Sequence, residues 1–521
     1  MNHMATWTNR GTASETIWPR DLEDEGATAL LAADVAALVG PGDLVTLSGG
    51  LGAGKTAFAR ALIRILMGDP DIEVPSPAFT LMQIYEGLSF PIVHADFYRI
   101  EKPRDLVELG FDEACDGALV LVEWPDRAAD ILQADRLDIA LRLDQNKDHG
   151  YRAVTLTGTG TFSARLARAK AIHELLDRSG WSSAERSFMQ GDASARSYER
   201  LLKPDGQRAI LMISPPRPDE PPLRYGKSYS AIAKLAEDIR PFIAVGQGLR
   251  EQGLSAPEIF AFDLAAGLAV IEDLGGEPVT SESGIIEERY AVALAALAHL
   301  HGANVSDTLP VDDQETYRIP VYDVDALSIE VELLLDWYVP YIACAQIASG
   351  AKATFVNLWR HAVQTILAAR PTWTLRDYHS PNLLWLAERQ GIARVGIIDF
   401  QDCVLGHAAY DVVSLLQDAR VDVPQEMELK LLAQYARLRC EEDASFDVEG
   451  FARAYAILGA QRATKILGIF ARLDERDKKP QYLVHLPRIE RYLAKNLGHP
   501  ALEELKLWYE EHLPRIFGAP P

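Results

Sequence analysis

The sequence predicts two units in series: an α/β domain over residues 1–160, and over 165–521 an α+β domain of two lobes, the second lobe largely helical. Three observations carry this. A chain of 521 residues is too long to fold around one core. Up to about residue 160, apolar strand-like runs alternate with amphipathic helical stretches, the signature of a sheet covered by helices. Beyond it, short strands give way near residue 285 to long helical stripes such as "ERYAVALAALAHLHG" and "AYAILGAQRATKILGIFARL".

The elements follow in order. "ETIWPRD" reads as a strand and "DEGATALLAADVAALV" as a helix with an acidic start. "LVTLSG" is a buried strand leading through glycines into the helix "KTAFARALIRILM". "FPIVHAD" and "ALVLVEW" are apolar runs that each end near an acid, and "DRLDIALRL" and "YRAVTLTG" are two more strands. "GTGTFSAR" marks the expected boundary, after which "ARLARAKAIHELLDRSGW" is read as opening the second domain. "ERSFMQGDASARSYERLLK" and "QRAILMISPP" suggest antiparallel strands around a glycine turn, and "PPRPDEPPLRYGK" a proline-rich loop.

A net charge of −23 argues against a protein that coats nucleic acid, because phosphate contacts need clustered Lys and Arg. No apolar run has the length of a membrane span, and the N-terminal segment lacks the apolar core of a signal peptide. Cys115, Cys344, Cys403 and Cys440 are scattered without a C-x-x-C pair and are expected to be reduced thiols. A cytoplasmic location without membrane contact is the expectation.

"SGGLGAGKT" holds Gly49, Gly54, Lys55 and Thr56 at the G-x-x-x-x-G-K-[ST] spacing, between a strand and a helix. Backbone N–H groups from Gly50 through Gly52, Ala53 and Gly54 to Thr56 can cradle phosphates at the helix N-terminus. Lys55 would reach the β- and γ-phosphates, and the Thr56 hydroxyl would help hold Mg²⁺. Asp96 and Glu123, at strand ends, are the candidate carboxylates for the ion. With "VPSPAFTLMQIYE", "HADFYRI", "DLVELGFDE" and "LVEWPDR" in order, residues 10–160 resemble the TsaE family of small bacterial ATPases. The resemblance implies a P-loop ATPase that supports threonylcarbamoyladenosine formation on tRNA as a switch on a TsaB–TsaD complex. It also implies that Thr80 is switch-like, that Asp96 and Glu123 serve magnesium and hydrolysis, and that Trp124 lies beside the nucleotide. Direct tRNA contact by this chain alone is not expected.

A second constellation lies in "LRDYHSPNLLW" and "VGIIDFQD". Phosphoryl transfer needs a carboxylate to orient the acceptor hydroxyl, plus an oxygen ligand and a further carboxylate for Mg²⁺. Asp377, Asn382 and Asp399 supply that set in that order. Upstream, the turn "GDASARSY" with Gly191, Ser194 and Arg196 can cover phosphates with backbone amides, and the hinge "IEDLG", from Glu272 to Leu274, can read an adenine edge. These segments resemble the aminoglycoside phosphotransferase and choline kinase superfamily over residues 165–515, a two-lobed protein-kinase-like fold. "LAEDIRPFIAVGQGLREQGLSAPEI", "YDVVSLLQDAR" and "QRATKILGIFARL" narrow the resemblance to AmgK-like kinases of the anomeric hydroxyl of N-acetylmuramate and N-acetylglucosamine, in cell-wall recycling. That implies ATP and Mg²⁺ as cofactors, Asp377 as base, Asn382 and Asp399 as metal ligands, and Asp411 as a brace of the catalytic loop.

Three departures stand out. Leu375 occupies the position two before Asp377, where the superfamily often has His. The strand "AILMISPP" offers Met212 and Ser214 where a phosphate-binding lysine is usual, leaving Lys227 or Arg196 as substitutes. The hinge carries Asp-Leu after Glu272. On the acceptor side, Glu332, Asp336, Trp337 and Tyr338 are either core or sugar platform, and Arg462 and Lys465 face either an anionic group or solvent. An aminoglycoside or other small-alcohol kinase, or a non-catalytic binding module, are the alternatives for the second domain.

Overall fold

The computed structural model describes residues 15–86, 90–100, 106, 110–144, 147, 150–189, 196–217, 220–282 and 284–518. The chain divides into two compact units, residues 1–178 and 179–521. The division falls downstream of the boundary expected at 160–165. "TFSARLARAKAIHELLDR", placed at the head of the second domain by its sequence, is the last helix of the first unit.

The first unit is a seven-stranded sheet of order β1-β7-β6-β2-β5-β4-β3. The strands are β1 (Glu15–Leu22), β2 (Leu44–Ser48), β3 (Met82–Glu86), β4 (Pro91–Asp96), β5 (Leu119–Glu123), β6 (Leu137–Leu143) and β7 (Arg152–Thr159). β6, β2, β5 and β4 run parallel, and β1, β7 and β3 close the two sides antiparallel. Parallel strands in the middle of a sheet are covered on both faces. So along β5, Leu119 and Leu121 join one apolar cluster and Val120 and Val122 the other. Helix α1 (Glu25–Ala36) starts where the Asp24 carboxylate accepts from the Ala27 N–H at 2.7 Å. Helix α2 (Lys55–Met67) packs beside it. Helix α3 (Thr161–Arg178) lies against β1 and β7, burying Phe162, Leu166 and Leu175, and its Arg165 grips Asp43 with both guanidinium nitrogens at 2.7 and 2.8 Å.

The second unit begins with a five-stranded antiparallel sheet of order β11-β12-β10-β9-β8. These are β8 (Glu185–Met189), β9 (Ser197–Leu202), β10 (Arg208–Ile213), β11 (Ile259–Asp263) and β12 (Leu268–Glu272). The remainder is mostly helical. Helix α4 (Val324–Leu333) continues into a π-helical stretch, Leu334–Ile342, and helix α5 (Val448–Glu475) runs for 28 residues through the core of the lobe. Gly468 on α5 meets the backbone at Leu333, where a Cβ would stand 2.5 Å from the carbonyl oxygen. Only glycine lets α5 come this close to the end of α4.

Candidate active sites

In the first unit the glycine-rich loop follows β2, the central strand, and ends at Gly54, whose left-handed backbone caps α2. Gly49 has φ 137°, and a Cβ there would lie 2.2 Å from the Leu141 carbonyl oxygen, so the loop can leave β2 only through glycine. Glu123 and Asp96 end the adjacent parallel strands β5 and β4 and are register partners. Loop, glutamate and aspartate therefore share the carboxyl end of the sheet, where open α/β sheets bind ligands. The Thr56 hydroxyl donates to Glu123 Oε2 at 3.0 Å, and the fully buried His94 holds Oε1 at 3.0 Å. Thr56 and Glu123 are thus one oxygen pair beside the phosphate cradle, a donor set that suits a hard divalent cation.

Lys55 Nζ donates to the carbonyls of Gly49 and Gly50, both at 2.9 Å, and stands 3.8 Å over the Trp124 ring. Burial pulls its ammonium below the ordinary value, against the opposing pull of Glu123 and Asp96. Burial raises the Asp96 carboxyl, and Glu123 adds to this, although the Tyr98 N–H donates to it at 2.9 Å. Thr80 is exposed in the turn before β3, next to Leu81, whose carbonyl accepts the Asp96 N–H. Thr56 and Glu123 are in contact, Lys55 stands over Trp124, and Asp96 is the register partner of Glu123, all beside the loop of Gly50, Gly52, Ala53 and Gly54. His94 was missed: one histidine inside a buried strand carries no spacing signal.

In the second unit a cleft of 1070 Å³ gathers Asp377, Asn382, Asp399 and Arg196. The loop bearing Asp377 follows strand β13 (Thr372–Thr374). Arg376 adopts φ 68°, a conformation that favours glycine and must be held by its surroundings. Asp411, fully buried, holds it by accepting the Leu375 and Arg376 N–H groups at 2.7 and 2.8 Å, and the Ser414 hydroxyl donates to the Arg376 carbonyl. The Asp411 bracing supports the loop backbone on either side of the missing histidine. Strands β14 (Leu383–Trp385) and β15 (Val395–Ile397) pair antiparallel and bring Asp399, itself at φ 59°, back to Asn382. Asn382 Nδ2 donates to the Asp377 carbonyl at 2.9 Å and lies 3.5 Å from Asp399 Oδ2. Arg196 and Gln401 contact Asp399 Oδ1 at 3.3 and 2.7 Å. A carboxylate and an amide side by side offer the oxygen donors of a magnesium site, which substrate phosphates and water would complete, while Arg196 beside them suits an anionic phosphate.

Burial pushes the Asp377 carboxyl up, but the neighbouring His379 and the cations Lys465, Arg462 and Arg376 outweigh it and hold the group below the usual range. Asp399 goes the other way: burial, with Asp377 adding, raises it. The pKa values of the two neighbouring carboxyls are thus driven apart.

The other expectations are sorted by position. Gly191 and Ser194 lie outside the described residues. Met212 is fully buried core, while Ser214 faces the cleft. Lys227 is exposed in a turn paired with Arg224, and it is not among the residues that line the cleft; Arg196 is. Glu272 is tied to Arg389, to the Glu258 N–H at 3.1 Å and to Arg250 at 3.6 Å, so its side chain braces the hinge; Leu274 packs against Gly396. Glu332 pairs with Arg224 at 2.7 Å, Asp336 is exposed, Trp337 is half-buried and Tyr338 is core. Arg462 and Lys465 do line the cleft, on one face of α5.

The residue that sequence reasoning missed most is Glu330. It is fully buried on α4 and receives Arg376, Lys465 at 2.8 Å, Tyr322 and Gln461 at 3.0 Å. Its one signal was an acid within the apolar run "LSIEVELLL".

Residues 22–153 match the family of the threonylcarbamoyl adenosine biosynthesis protein TsaE, and residues 185–455 the phosphotransferase enzyme family. An N-acetylmuramate/N-acetylglucosamine kinase of Caulobacter vibrioides is 38% identical over 68% of this chain and 98% of its own length. A kinase of the same name from Pseudomonas aeruginosa is 31% identical over 64% and 91%. A tRNA threonylcarbamoyladenosine biosynthesis protein TsaE of Rickettsia conorii is 40% identical over 24% of this chain and 72% of its own. Among the described residues, no helix is long and apolar enough to cross a membrane. The two units thus have separate relatives, and the chain belongs to both families: it is a TsaE-family domain fused to a kinase-like domain of the phosphotransferase enzyme family.

Proposed function

We propose that the second unit is an ATP-dependent kinase of the anomeric hydroxyl of N-acetylmuramate and N-acetylglucosamine in cell-wall recycling, and that the first is an ATPase supporting threonylcarbamoyladenosine formation on tRNA with TsaB- and TsaD-type partners. The observation that carries the kinase reading is the meeting of Asp377, Asn382 and Asp399 in one cleft, with Asp377 held ionised. Asp377 accepts the proton of the sugar's C1 hydroxyl as that oxygen bonds to the γ-phosphorus; the bond to the β,γ-bridging oxygen breaks, and ADP leaves with the electron pair. Asn382 and Asp399 are the residues that would hold Mg²⁺, which supplies charge neutralisation on the phosphates. Arg196 as the substitute for the absent strand lysine is supported by its contact with Asp399 and its place in the cleft lining, where Lys227 is not found. In the first unit, Gly50–Thr56 would hold the phosphates, Thr56 and Glu123 the Mg²⁺, and Asp96 would orient the attacking water. Thr80 and Trp124 border that site, and the cytoplasm, where ATP and tRNA meet, is its location.

The lining charge does not separate an amino sugar from a cationic aminoglycoside, because Glu220, Glu237, Asp238 and Asp402 line the cleft beside Arg420, Arg462 and Arg472. A binding module without catalysis draws support from Met212, which puts apolar bulk where a strand lysine is usual. Incubating the full-length protein with ATP, Mg²⁺ and each of N-acetylmuramate, N-acetylglucosamine, kanamycin and choline separates these readings. Formation of sugar 1-phosphate is expected; ATP binding without transfer to any acceptor would leave the binding module standing.

A further inference from the structure

The cleft of the second unit holds more positive charge than its phosphate end uses. Arg196 contacts Asp399, and Lys465 and Arg376 are neutralised by Glu330. Arg462 differs. It is 5% exposed and lines the cleft, and among the described residues its guanidinium has no hydrogen-bond or ion-pair partner. Asp377 feels its charge, but among the described residues no acceptor is in contact with its N–H groups, and a buried guanidinium whose N–H groups go unmet is costly unless a ligand meets them.

A second observation lies beside it. His379, 7% exposed, accepts from Arg420 through Nε2 at 3.3 Å, which leaves the proton on Nδ1. That Nδ1 is buried and has no partner among the described residues. His379, Arg420 and Arg462 line one cleft, together with Asp377. His379 stands two residues after Asp377, whose carboxylate must touch the acceptor hydroxyl, so these donors border the acceptor and not the nucleotide.

The geometry points to Arg462, flanked by Arg420 and the Nδ1–H of His379, as a subsite for a carboxylate carried by the sugar. It would thereby separate an N-acetylated amino sugar bearing a lactyl ether from its neutral counterpart. This rests on the sugar-kinase reading and adds a specificity determinant to it. The two sugars of that reading differ by this lactyl group alone, and a guanidinium binds a carboxylate through paired N–H donors.

The test is steady-state kinetics of full-length wild type and Arg462→Met at saturating ATP, with N-acetylmuramate, its carboxamide and N-acetylglucosamine. Loss of a hydrogen-bonded charge pair should raise KM for N-acetylmuramate about 10- to 100-fold, with the larger part of the effect in KM rather than kcat. The specificity ratio of N-acetylmuramate to N-acetylglucosamine should fall by the same factor. Wild type should treat the carboxamide as the variant treats the acid, and combining variant and carboxamide should add little further loss. An equal loss on all three sugars, or a fall in kcat at unchanged KM, overturns the inference and makes Arg462 a stabiliser of the transferring phosphate. Arg420→Met, at a half-buried position, gives the same readout if Arg462→Met does not fold, and an unchanged ratio there overturns it equally. If wild type phosphorylates neither sugar, the kinase reading falls and takes the inference with it; if it phosphorylates both and the ratio does not move, only the inference falls.

Discussion

The two sites bind the same kind of ligand with different materials. In the first unit the phosphate cradle is main chain, a run of consecutive residues between β2 and α2, and its lysine rests on the loop's own carbonyls. In the second, the proposed site among the described residues is built from side chains that are far apart in sequence, such as Arg196 and Asp399. The main-chain site needs glycine where the backbone turns, and little else from its neighbours. The side-chain site needs a buried ionic frame, in which Glu330 pairs with both Arg376 and Lys465, and Arg462 has no ion-pair partner among the described residues. A cradle of amides is insensitive to remote charge; a cleft of carboxylates and guanidiniums is set by it.

Four substitutions would break or sharpen this contrast. Asp377→Ala should cut sugar phosphorylation about 100- to 10,000-fold, the range for loss of a positioned base. Hydrolysis by the first unit should be untouched, and parallel assays of both activities on one preparation check it. Lys55→Ala should reduce ATP hydrolysis with TsaB- and TsaD-type partners about 100- to 1000-fold, as for loss of one electrostatic contact to a reacting phosphate. Sugar phosphorylation should then stay at the wild-type rate; a joint loss would mean that the two sites are coupled.

Glu330→Gln strikes the frame. Leaving Arg376 and Lys465 without their counter-charge should destabilise the second unit by about 3–5 kcal/mol in urea unfolding. Burial pushes the Glu330 carboxyl up, but Lys465 and Arg376 hold it below the ordinary value. Its contribution is therefore complete above the unfolded glutamate pKa and is lost as pH falls through the lower folded one. The gap between wild type and variant should accordingly close toward acid; a constant gap would mean that the ion pairs contribute nothing. The smallest effect is expected for Arg165→Ala, which releases α3 from Asp43 at a partly exposed pair and should cost about 1 kcal/mol, read as a shift in the unfolding midpoint of the first unit. No shift would mean that the apolar face of α3 alone secures it there.

Legibility follows the same line. The strands "LVTLSG" and "ALVLVEW", the loop between Gly49 and Thr56 and the acids at the strand ends were readable, because period and spacing are local properties. The Asp377, Asn382 and Asp399 set was readable because two short motifs carry it. The helix Thr161–Arg178 was assigned to the wrong side of the boundary, since an amphipathic pattern says that a face is buried and not against what. Lys227 against Arg196 was undecidable for a related reason: both are cations near a turn, and only folding brings Arg196 to Asp399 and leaves Lys227 exposed.

By itself, then, the sequence determined where backbone does the binding and which residue types can transfer a phosphoryl group. Only the tertiary structure decided which charges cancel. Glu330 meets Lys465 and Arg376 across two helices and a loop, while Arg462, three residues before Lys465, makes no ion pair among the described residues. Electrostatic energy depends on distance and burial, neither of which is written in the order of residues along the chain.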